Sequence, residues 1–317
     1  MSVATVSRVL NGNGAVRPDT AKKVMRIVEE SGYCPNFLGR NLRTNMTKTI
    51  LVMVSTLNNH FTSKVISSIE KAGQEKGYSV LICTTNDNDE LENLHLNLLQ
   101  NRQADGMIIM NTVKTPEEIK SLGKIYNIIQ CSEYSPGANV PYVTIDNRRA
   151  AYDAVSHLIS IGRRRIAYMG VKNHMTSSHL RYGGYIAALT EAGIEPDKSL
   201  VDDGNYGYRS AVYIMSKLLT SGNPPDALFA ISDRMAAGAV RAAKNLGLRI
   251  PEDIAVAGFD NTDISYISEP QLTTVSQSPF DMGKTAMELM IRRINGEKNI
   301  ESVTVTHKLI ARNSTII

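Results

Sequence analysis

The sequence of 317 residues is poor in cysteine and contains no long apolar run. Its three cysteines, Cys34, Cys83 and Cys131, are odd in number and lack metal-ligand spacing, so we expect buried free thiols. No stretch approaches the roughly 18–20 consecutive apolar residues that a membrane helix needs. The first residues, MSVATVSRVLNGNG, lack the apolar segment of a secretory signal. We therefore expect a cytoplasmic protein with no membrane partner.

Motifs of several enzyme classes are also missing. No G-x-G-x-x-G follows a predicted strand, and the sequence has no P-loop, HExxH or G-x-S-x-G motif. The histidines at 95, 157, 174, 179 and 307 show no ligand spacing, so we expect surface or hydrogen-bonded core positions for them. We accordingly predict no catalytic residues, no metal site and no cofactor.

Positive charge is concentrated at the amino end of the chain. Residues 1–48 contain eight lysines and arginines against three acids, a net charge of +5, whereas the whole chain carries +4. A nucleic-acid-binding segment has this distribution, and a solvated basic face would have it as well. Charge alone leaves these two interpretations open.

From residue 49 onward, short apolar runs alternate with amphipathic segments. The runs TILVMVS (49–55), YSVLICT (78–84) and DIAVAGFD (253–260) are typical of strands buried on both faces. The intervening segments, such as 61–77 and 234–247, have helical periodicity. The pattern predicts an α/β fold that is doubly wound, and the number of units indicates two Rossmann-like subdomains.

Polar residues follow many of the predicted strands. Ligands bind doubly wound folds at the carboxyl ends of the strands, where hydrogen-bonding side chains suit a polyhydroxylated molecule. Asp and Asn also cap helices, so each residue has this structural interpretation beside the functional one. The residues in question are Asn58, Asn59, Asn86, Asp146, Ser232, Asp233, Asp260 and Asn261.

The first ten residues have the pattern of a short helix. Val3, Val6, Val9 and Leu10 share one face, Ser2 is a candidate N-cap, and a second helical segment runs from Pro18 to Ser31. The motifs S-x-A-T-V-S-R-V-L-N, V-R-P-D-T-A-K-K-V and G-Y-x-P-N resemble the headpiece of the LacI/GalR family of transcription regulators. The closing R-x-S-T, at 312–315, also resembles that family, so the resemblance covers essentially the whole chain.

The resemblance implies a helix-turn-helix headpiece that binds operator DNA. By motif position, Val3, Ala4 and Arg8 would face bases, and Arg8 has the planar fork that bonds a guanine edge. Ser7 and Asn11 would contact phosphates. Leu42, in a segment similar to the family's hinge helix, would wedge the minor groove.

The family's headpiece starts with a helix that has no counterpart in this sequence. Met1 falls within the turn, so we expect a headpiece truncated inside the helix-turn-helix. A misassigned start of translation and a deliberate truncation both account for this.

The resemblance also implies effector-binding residues in the core. Arg181, in L-R-Y-G-G-Y, matches the family's arginine that clamps effector hydroxyls, and Asp260, in A-G-F-D-N-T-D, matches an aspartate that accepts from them. Ser232 stands where some relatives place an asparagine ligand. Phe61 and Tyr206 match aromatic residues that flank a sugar or base, and core aromatics at the start of a helix are the alternative. Together with Asp146, these are our candidate effector-binding residues.

The expected organisation is a partial headpiece (1–34), a hinge helix (35–47) and a core (48–317) of periplasmic-binding-protein type. Within the core we expect one subdomain at about 48–146 and 277–296, and the other at about 147–276 and 297–317. The predicted function is that of a homodimeric repressor whose operator affinity is controlled by a sugar or a nucleoside. A solute-binding protein for sugar uptake shares the core but not the basic headpiece. A Rossmann-type enzyme is the third alternative, but no nucleophile accompanies Asp260 and Arg181.

Overall fold

The computed structural model describes residues 1–10, 16–32 and 46–316. The chain forms two compact units, Met1–Thr47 and Lys48–Ile317. Of the predicted DNA-binding residues, Asn11 and Leu42 lie outside the described residues, as does Cys34.

The first unit contains two described helices, α1 (Val3–Leu10) and α2 (Pro18–Ser31). The side chain of Ser2 accepts a hydrogen bond from the backbone N–H of Thr5 at 3.2 Å, which confirms Ser2 as the N-cap of α1. α2 begins with proline at its first position and ends at Gly32, whose φ of 61° is left-handed. The predicted bounds of this helix are confirmed.

The first sheet of the second unit has six parallel strands in the order β11-β5-β4-β3-β1-β2. They are β1 (Thr49–Val54), β2 (Ser79–Thr84), β3 (Gly106–Ile109), β4 (Ile128–Cys131), β5 (Tyr142–Ile145) and β11 (Val303–Val305). Its helices are α3 (His60–Glu75), α4 (Asp89–Gln100), α5 (Pro116–Ile125) and α11 (Pro279–Ile294). Successive residues of β1, from Ile50 to Val54, are all buried, so both faces of the sheet are covered.

The second sheet also has six strands, in the order β12-β10-β9-β8-β6-β7. They are β6 (Ile166–Gly170), β7 (Val201–Asp203), β8 (Ala227–Ala230), β9 (Ala255–Phe259), β10 (Thr273–Ser276) and β12 (Lys308–Ile310), of which only β12 runs antiparallel to its neighbour. Its helices are α6 (Asn147–Ser160), α7 (Thr176–Glu191), α8 (Tyr208–Leu219), α9 (Asp233–Asn245) and α10 (Asp263–Ile267). The two sheets confirm the predicted doubly wound α/β fold.

The chain passes between the sheets three times, and one crossing differs from the sequence prediction. It passes from β5 to α6 at Asp146, from β10 to α11 at Gln277 and from β11 to β12 at Thr306. We had assigned 297–317 to the second subdomain, which is wrong for β11, because Val303–Val305 pairs in register with Val143–Ile145 of the first sheet. A three-residue edge strand carries too little hydrophobic pattern to reveal its partner.

Two of the three cysteines lie in the described core. Cys83 and Cys131 are both buried and free, as predicted. Burial raises the pKa of the Cys131 thiol to about 12, so this side chain stays protonated and unreactive.

The helices α6 and α7 pack closely because one glycine of α7 has no side chain. A Cβ atom added to Gly184 would lie 2.9 Å from the Cβ atom of Ala151 and 2.9 Å from the backbone nitrogen of Tyr152, both in α6. Its neighbour Gly183 points elsewhere: an added Cβ would have its nearest contact at 3.9 Å, on the side chain of Arg148. The first position therefore fixes the distance between the helices, and the second does not.

We predict that Gly184→Ala lowers the free energy of unfolding by about 1–3 kcal/mol, because the backbones of two helices must separate. Gly183→Ala is the matched control and should be neutral or stabilise by up to about 1 kcal/mol, because alanine favours the helix. Urea unfolding midpoints of the two variants measure the difference. Equal midpoints would show that the helix contact adapts without cost.

Candidate ligand-binding cleft

A cavity of about 440 Å³ lies between the two sheets, at the carboxyl ends of their strands. The first sheet contributes loops that follow β1, β3 and β4, and the second contributes loops that follow β6, β7, β8 and β9. Five of the six predicted effector-binding residues line this cavity, namely Phe61, Arg181, Tyr206, Ser232 and Asp260.

Arg181 lies on α7 and is only 6% exposed. Its Nε–H donates to Asn147 Oδ1 at 2.9 Å, and Nη1 donates to the carbonyl oxygen of Ile231 at 3.0 Å. Nη2 donates to Gln277 Oε1 at 3.4 Å, and the guanidinium lies 3.7 Å from the ring centroid of Phe259. Three of the five N–H groups of the arginine are used in these bonds, which leaves two for a ligand.

Asp260 follows β9 and is also buried, with a φ of 101°. Gln277 Nε2 donates to Asp260 Oδ1 at 2.6 Å, so Gln277 joins the two charged side chains that we had predicted separately. Burial raises the pKa of Asp260 to about 7, and the nearby Arg181 cation offsets only part of this effect. A ligand hydroxyl that donates to this carboxylate would stabilise its ionised form.

A second buried carboxylate, Asp233, has a structural role. Its oxygens accept bonds from the backbone and hydroxyl of Thr262, at 2.6 and 2.9 Å, and from the hydroxyl of Thr274 at 2.5 Å. Burial raises its pKa to about 6, and these bonds act in the opposite direction. Asp233 therefore fixes the loop that presents Asp260 and has little capacity left for a ligand.

The two predicted aromatic residues lie in opposite walls of the cavity. Phe61, in the first turn of α3, is 5% exposed, and its backbone N–H donates to the Asn59 side chain, which caps the helix. Tyr206, after β7, is partly buried with a left-handed φ of 52°, and its hydroxyl lies 3.5 Å from Ser178 Oγ. The walls thus come from different sheets, which suits a ring held between them.

Two predicted residues act as helix caps, with different consequences. Ser232 accepts from the backbone N–H of Met235 at the start of α9, and it still lines the cavity. Asp146 accepts from the backbone N–H of Arg149 at 2.9 Å, is exposed and is not part of the lining. The structure does not bring Asp146 into the site, because its carboxylate turns onto the first turn of α6. Its neighbour Asn147 contacts Arg181 instead.

Sequence reasoning missed several polar residues of the cleft. Glu133, after β4, lines the cavity and accepts a bond from the backbone N–H of Ser177 at 3.2 Å, and burial raises its pKa. His174, which we had set aside, also lines the cavity, with Nε2 3.2 Å from the carbonyl oxygen of Thr112. Glu133 carries the signal that identified the others, a polar residue that follows a strand. Gln277 also directly follows a strand, β10, but we had not predicted that strand from the sequence.

In the first unit, α1 contains four of the predicted DNA-binding residues. Ala4 and Arg8 are exposed and four residues apart, so they share one face of the helix, and Ser7 is partly exposed. Val3 begins the helix.

Within the described part of the chain, no helix has the length and apolar character needed to span a membrane. Across residues 1–10, 16–32 and 46–316, no three His, Cys, Asp or Glu side chains come together as a set of metal ligands.

A ligand cavity between two parallel sheets, joined in one chain to a small basic helical unit, defines a class of ligand-controlled DNA-binding regulators. Comparisons with known families agree. Residues 1–36 match the family of bacterial regulatory proteins of the lacI family, and residues 155–315 match the periplasmic binding protein-like domain.

Relatives match nearly the entire chain. It is 35% identical to catabolite control protein A of Priestia megaterium, over 99% of this chain and 96% of that protein. It is 34% identical to the transcriptional repressor CytR of Escherichia coli K12, over 99% of this chain and 93% of the repressor. Among solved structures, the regulator CelR with cellobiose is 31% identical, with a TM-score of 0.78 over 99% of this chain and 96% of that one.

The lac repressor dimer bound to operator and the anti-inducer ONPF is 25% identical, with a TM-score of 0.92 over 100% of this chain and 96% of that one. The chain belongs to the LacI family of transcriptional regulators. It is a DNA-binding repressor with an effector-binding domain, which confirms the predicted function over the solute-binding alternative.

We predict that the stability of the protein depends on the ionisation of Asp260. The native carboxyl keeps its proton up to about pH 7, whereas the ordinary pKa is 3.8. Between these values the native state binds more protons than the unfolded state, so raising the pH lowers the free energy of unfolding. Asp260→Asn removes this effect, so the variant should gain stability relative to wild type as the pH rises from about 4 to about 7.

Asp253→Asn is the control. The hydrogen bond from Arg249 lowers the pKa of Asp253 to about 2, so the native carboxyl is ionised throughout the same window, and above about pH 5 its variant should differ from wild type by a constant amount. Urea unfolding across the window measures both differences. Parallel curves for Asp260→Asn and wild type would contradict the buried-carboxyl assignment.

Proposed function

We propose that this repressor releases or binds its operator in response to a sugar or nucleoside held in the 440 Å³ cleft. One observation carries the proposal: Arg181 and Asp260 meet on the floor of a cavity whose walls come from both sheets. A ligand that touches both sheets stabilises one relative arrangement of them. It can change operator affinity only through such a difference in affinity between two arrangements.

The chemistry of the cleft supports a neutral, hydroxyl-rich ligand. The free N–H groups of Arg181 donate, and the carboxylates of Asp260 and Glu133 accept, so a hydroxyl group suits both kinds of partner. Phe61 and Tyr206 supply apolar area for the face of a sugar or base, worth about 0.5–1.5 kcal/mol for a ring contact beyond burial. CelR, a relative, was solved with cellobiose. A disaccharide is therefore one candidate beside monosaccharides and nucleosides.

We propose that α1 enters the major groove of operator DNA. We also propose that the protein acts in the cytoplasm, where this DNA lies. The exposed Ala4 and Arg8 face base edges together with Val3, and Ser7 and Asn11 hold phosphates. Leu42 is proposed to contact the minor groove. The lac repressor, bound to its operator with a TM-score of 0.92 to this chain, supports this arrangement.

We propose no catalysis in the cleft. The Ser232 hydroxyl is occupied as a helix cap, and Asp260 and Arg181 are joined through Gln277, so these side chains bind and orient a ligand. The relatives described above are likewise regulators.

Arg181→Ala tests the proposed ligand site. The variant should bind ligand at least about tenfold more weakly, because hydrogen bonds to a charged group contribute roughly 1.5–3 kcal/mol. Cytidine, adenosine, ribose and cellobiose are screened by thermal shift on the wild type, and whichever stabilises it is titrated calorimetrically into both proteins.

Arg312→Ala is a closely matched control. Arg312 lies 4.1 Å from the ring centroid of Tyr266 and donates to the Leu272 carbonyl oxygen and to Asn261, outside the cavity. It should lose stability but keep its ligand affinity. Equal ligand affinities for Arg181→Ala and wild type would remove Arg181 from the site.

We also propose that two copies associate through the edge of the first sheet. β2 lies at this edge, and Leu81 and Ile82 are 51% and 46% exposed there. An exposed apolar edge strand favours association with another chain. A second copy is the proposed partner, because the lac repressor is a dimer on its operator.

Leu81→Glu should convert the proposed dimer to monomer, because burying an unpaired carboxylate in an apolar interface is costly. Sedimentation equilibrium gives the mass. Tyr213→Glu, at a residue 73% exposed on α8, is the control and should leave the dimer intact. A Leu81→Glu protein that remains dimeric would place the interface elsewhere.

A further inference from the structure

The three crossings between the sheets are connected to one another by side chains. The first crossing includes Asn147, the second Gln277 and Ser278, and the third Thr306. Arg181 donates to Asn147 at 2.9 Å and to Gln277 at 3.4 Å, so it joins the first two crossings. Ser278 Oγ donates to the carbonyl oxygen of Thr306 at 2.9 Å, which joins the second to the third.

Both amide side chains that hold Arg181 are well buried. Asn147 and Gln277 are each 2% exposed, and Asn147 is not part of the cavity lining. Gln277 lies between Arg181 and Asp260: its carbonyl oxygen accepts from the arginine and its amide nitrogen donates to the carboxyl group. Reversing this amide would place its N–H groups against the N–H groups of Arg181, so its orientation is fixed.

A rearrangement at Arg181 therefore reaches the backbone where the sheets are joined. Ser278, next to Gln277, has a left-handed φ of 49°, a conformation that a non-glycine residue holds only where its surroundings impose it. A ligand that bonds to Asp260 or to the free N–H groups of Arg181 adds a contact to the side chains that hold these crossings, so its binding favours one position of them.

We propose that Asn147 is a positioning residue that, through Arg181, couples occupancy of the cleft to the crossings between the sheets, with Gln277 as its counterpart on the second crossing. This inference rests on the proposed function of the cleft. Asn147 touches no ligand in this arrangement. Its contribution is to make the position of Arg181 depend on the position of the first crossing.

Asn147→Leu tests the proposal, because leucine has a similar size but accepts no bond. Ligand affinity should stay within about threefold of wild type, since Arg181 keeps Ile231, Gln277 and the Phe259 ring. The ratio of operator affinities with and without ligand should fall at least about fivefold, the low end of typical allosteric couplings. Asn147→Asp retains the acceptor and should retain the response.

The measurements use the full chain, a DNA site selected from a random pool by the wild type, and cytidine, adenosine, ribose or cellobiose, whichever binds. Asn127→Leu is the control: Asn147 donates to the carbonyl oxygen of Ile145 at 3.4 Å, and Asn127 likewise donates to that of Asp105, away from the crossings. A wild-type response in Asn147→Leu overturns the proposal. The proposal is also overturned if Asn147→Leu loses tenfold in ligand affinity but shows an unchanged operator response at saturating ligand. That result would mean that Asn147 contributes to ligand binding and not to the coupling.

Hydrogen exchange of the ligand-free protein gives a test that does not depend on the proposed function. Asn147→Leu should speed amide exchange at residues 276–280, more than a hundred positions away, and Asn127→Leu should not. Unchanged exchange there overturns the link between crossings. If exchange changes but none of the four compounds binds the wild type, the link stands and the proposed ligand class fails. Should Asn147→Leu fail to fold, Gln277→Met is measured by the same exchange at residues 145–149, where unchanged exchange overturns the link.

Discussion

The buried cation of Arg181 is the constraint on which the cleft depends. A guanidinium at 6% exposure is tolerated only if hydrogen bonds and opposite charge compensate for the lost water. The protein supplies the contacts from Asn147, the Ile231 carbonyl, Gln277 and the ring of Phe259, and the nearby carboxyl groups of Asp260 and Glu133 supply the opposite charge. These partners belong to segments far apart in sequence, so one charge holds together the floor of the cavity and two of the crossings between the sheets.

The same burial sets the chemistry of the carboxylates around Arg181. Asp260 and Asp233 both have a raised pKa, but their surroundings give them different roles. Both line the cavity, but Asp233 accepts three bonds from threonine groups and supports a loop, whereas Asp260 accepts one bond, from Gln277. A ligand hydroxyl that donates to Asp260 would add a second hydrogen bond to the one that Gln277 already gives this carboxyl group. The side chains of Arg181, Gln277 and Asp260 therefore contribute both to the proposed ligand binding and to the restraint on the crossings between the sheets.

The local sequence pattern predicted most helices and strands, because each depends mainly on which of its own residues are apolar. The apolar run 49–55 became β1, and the helical period at 234–247 became α9, because burial on both faces or on one stripe leaves a direct periodicity. Five of the six predicted effector-binding residues line the cavity. Asp146 was the exception, since a residue after a strand either caps the next helix or faces the cleft, and the sequence does not distinguish these outcomes.

The sequence by itself determined the alternation of strands and helices, the cap at Ser2, and the membership of the family, since each rests on neighbouring residues or on short motifs. Only the tertiary structure decided that β11 joins the first sheet, that Gln277 links Asp260 to Arg181, and that His174 enters the cleft. These depend on contacts between residues distant in sequence. Such contacts form only when the whole chain has folded, so no local pattern records them.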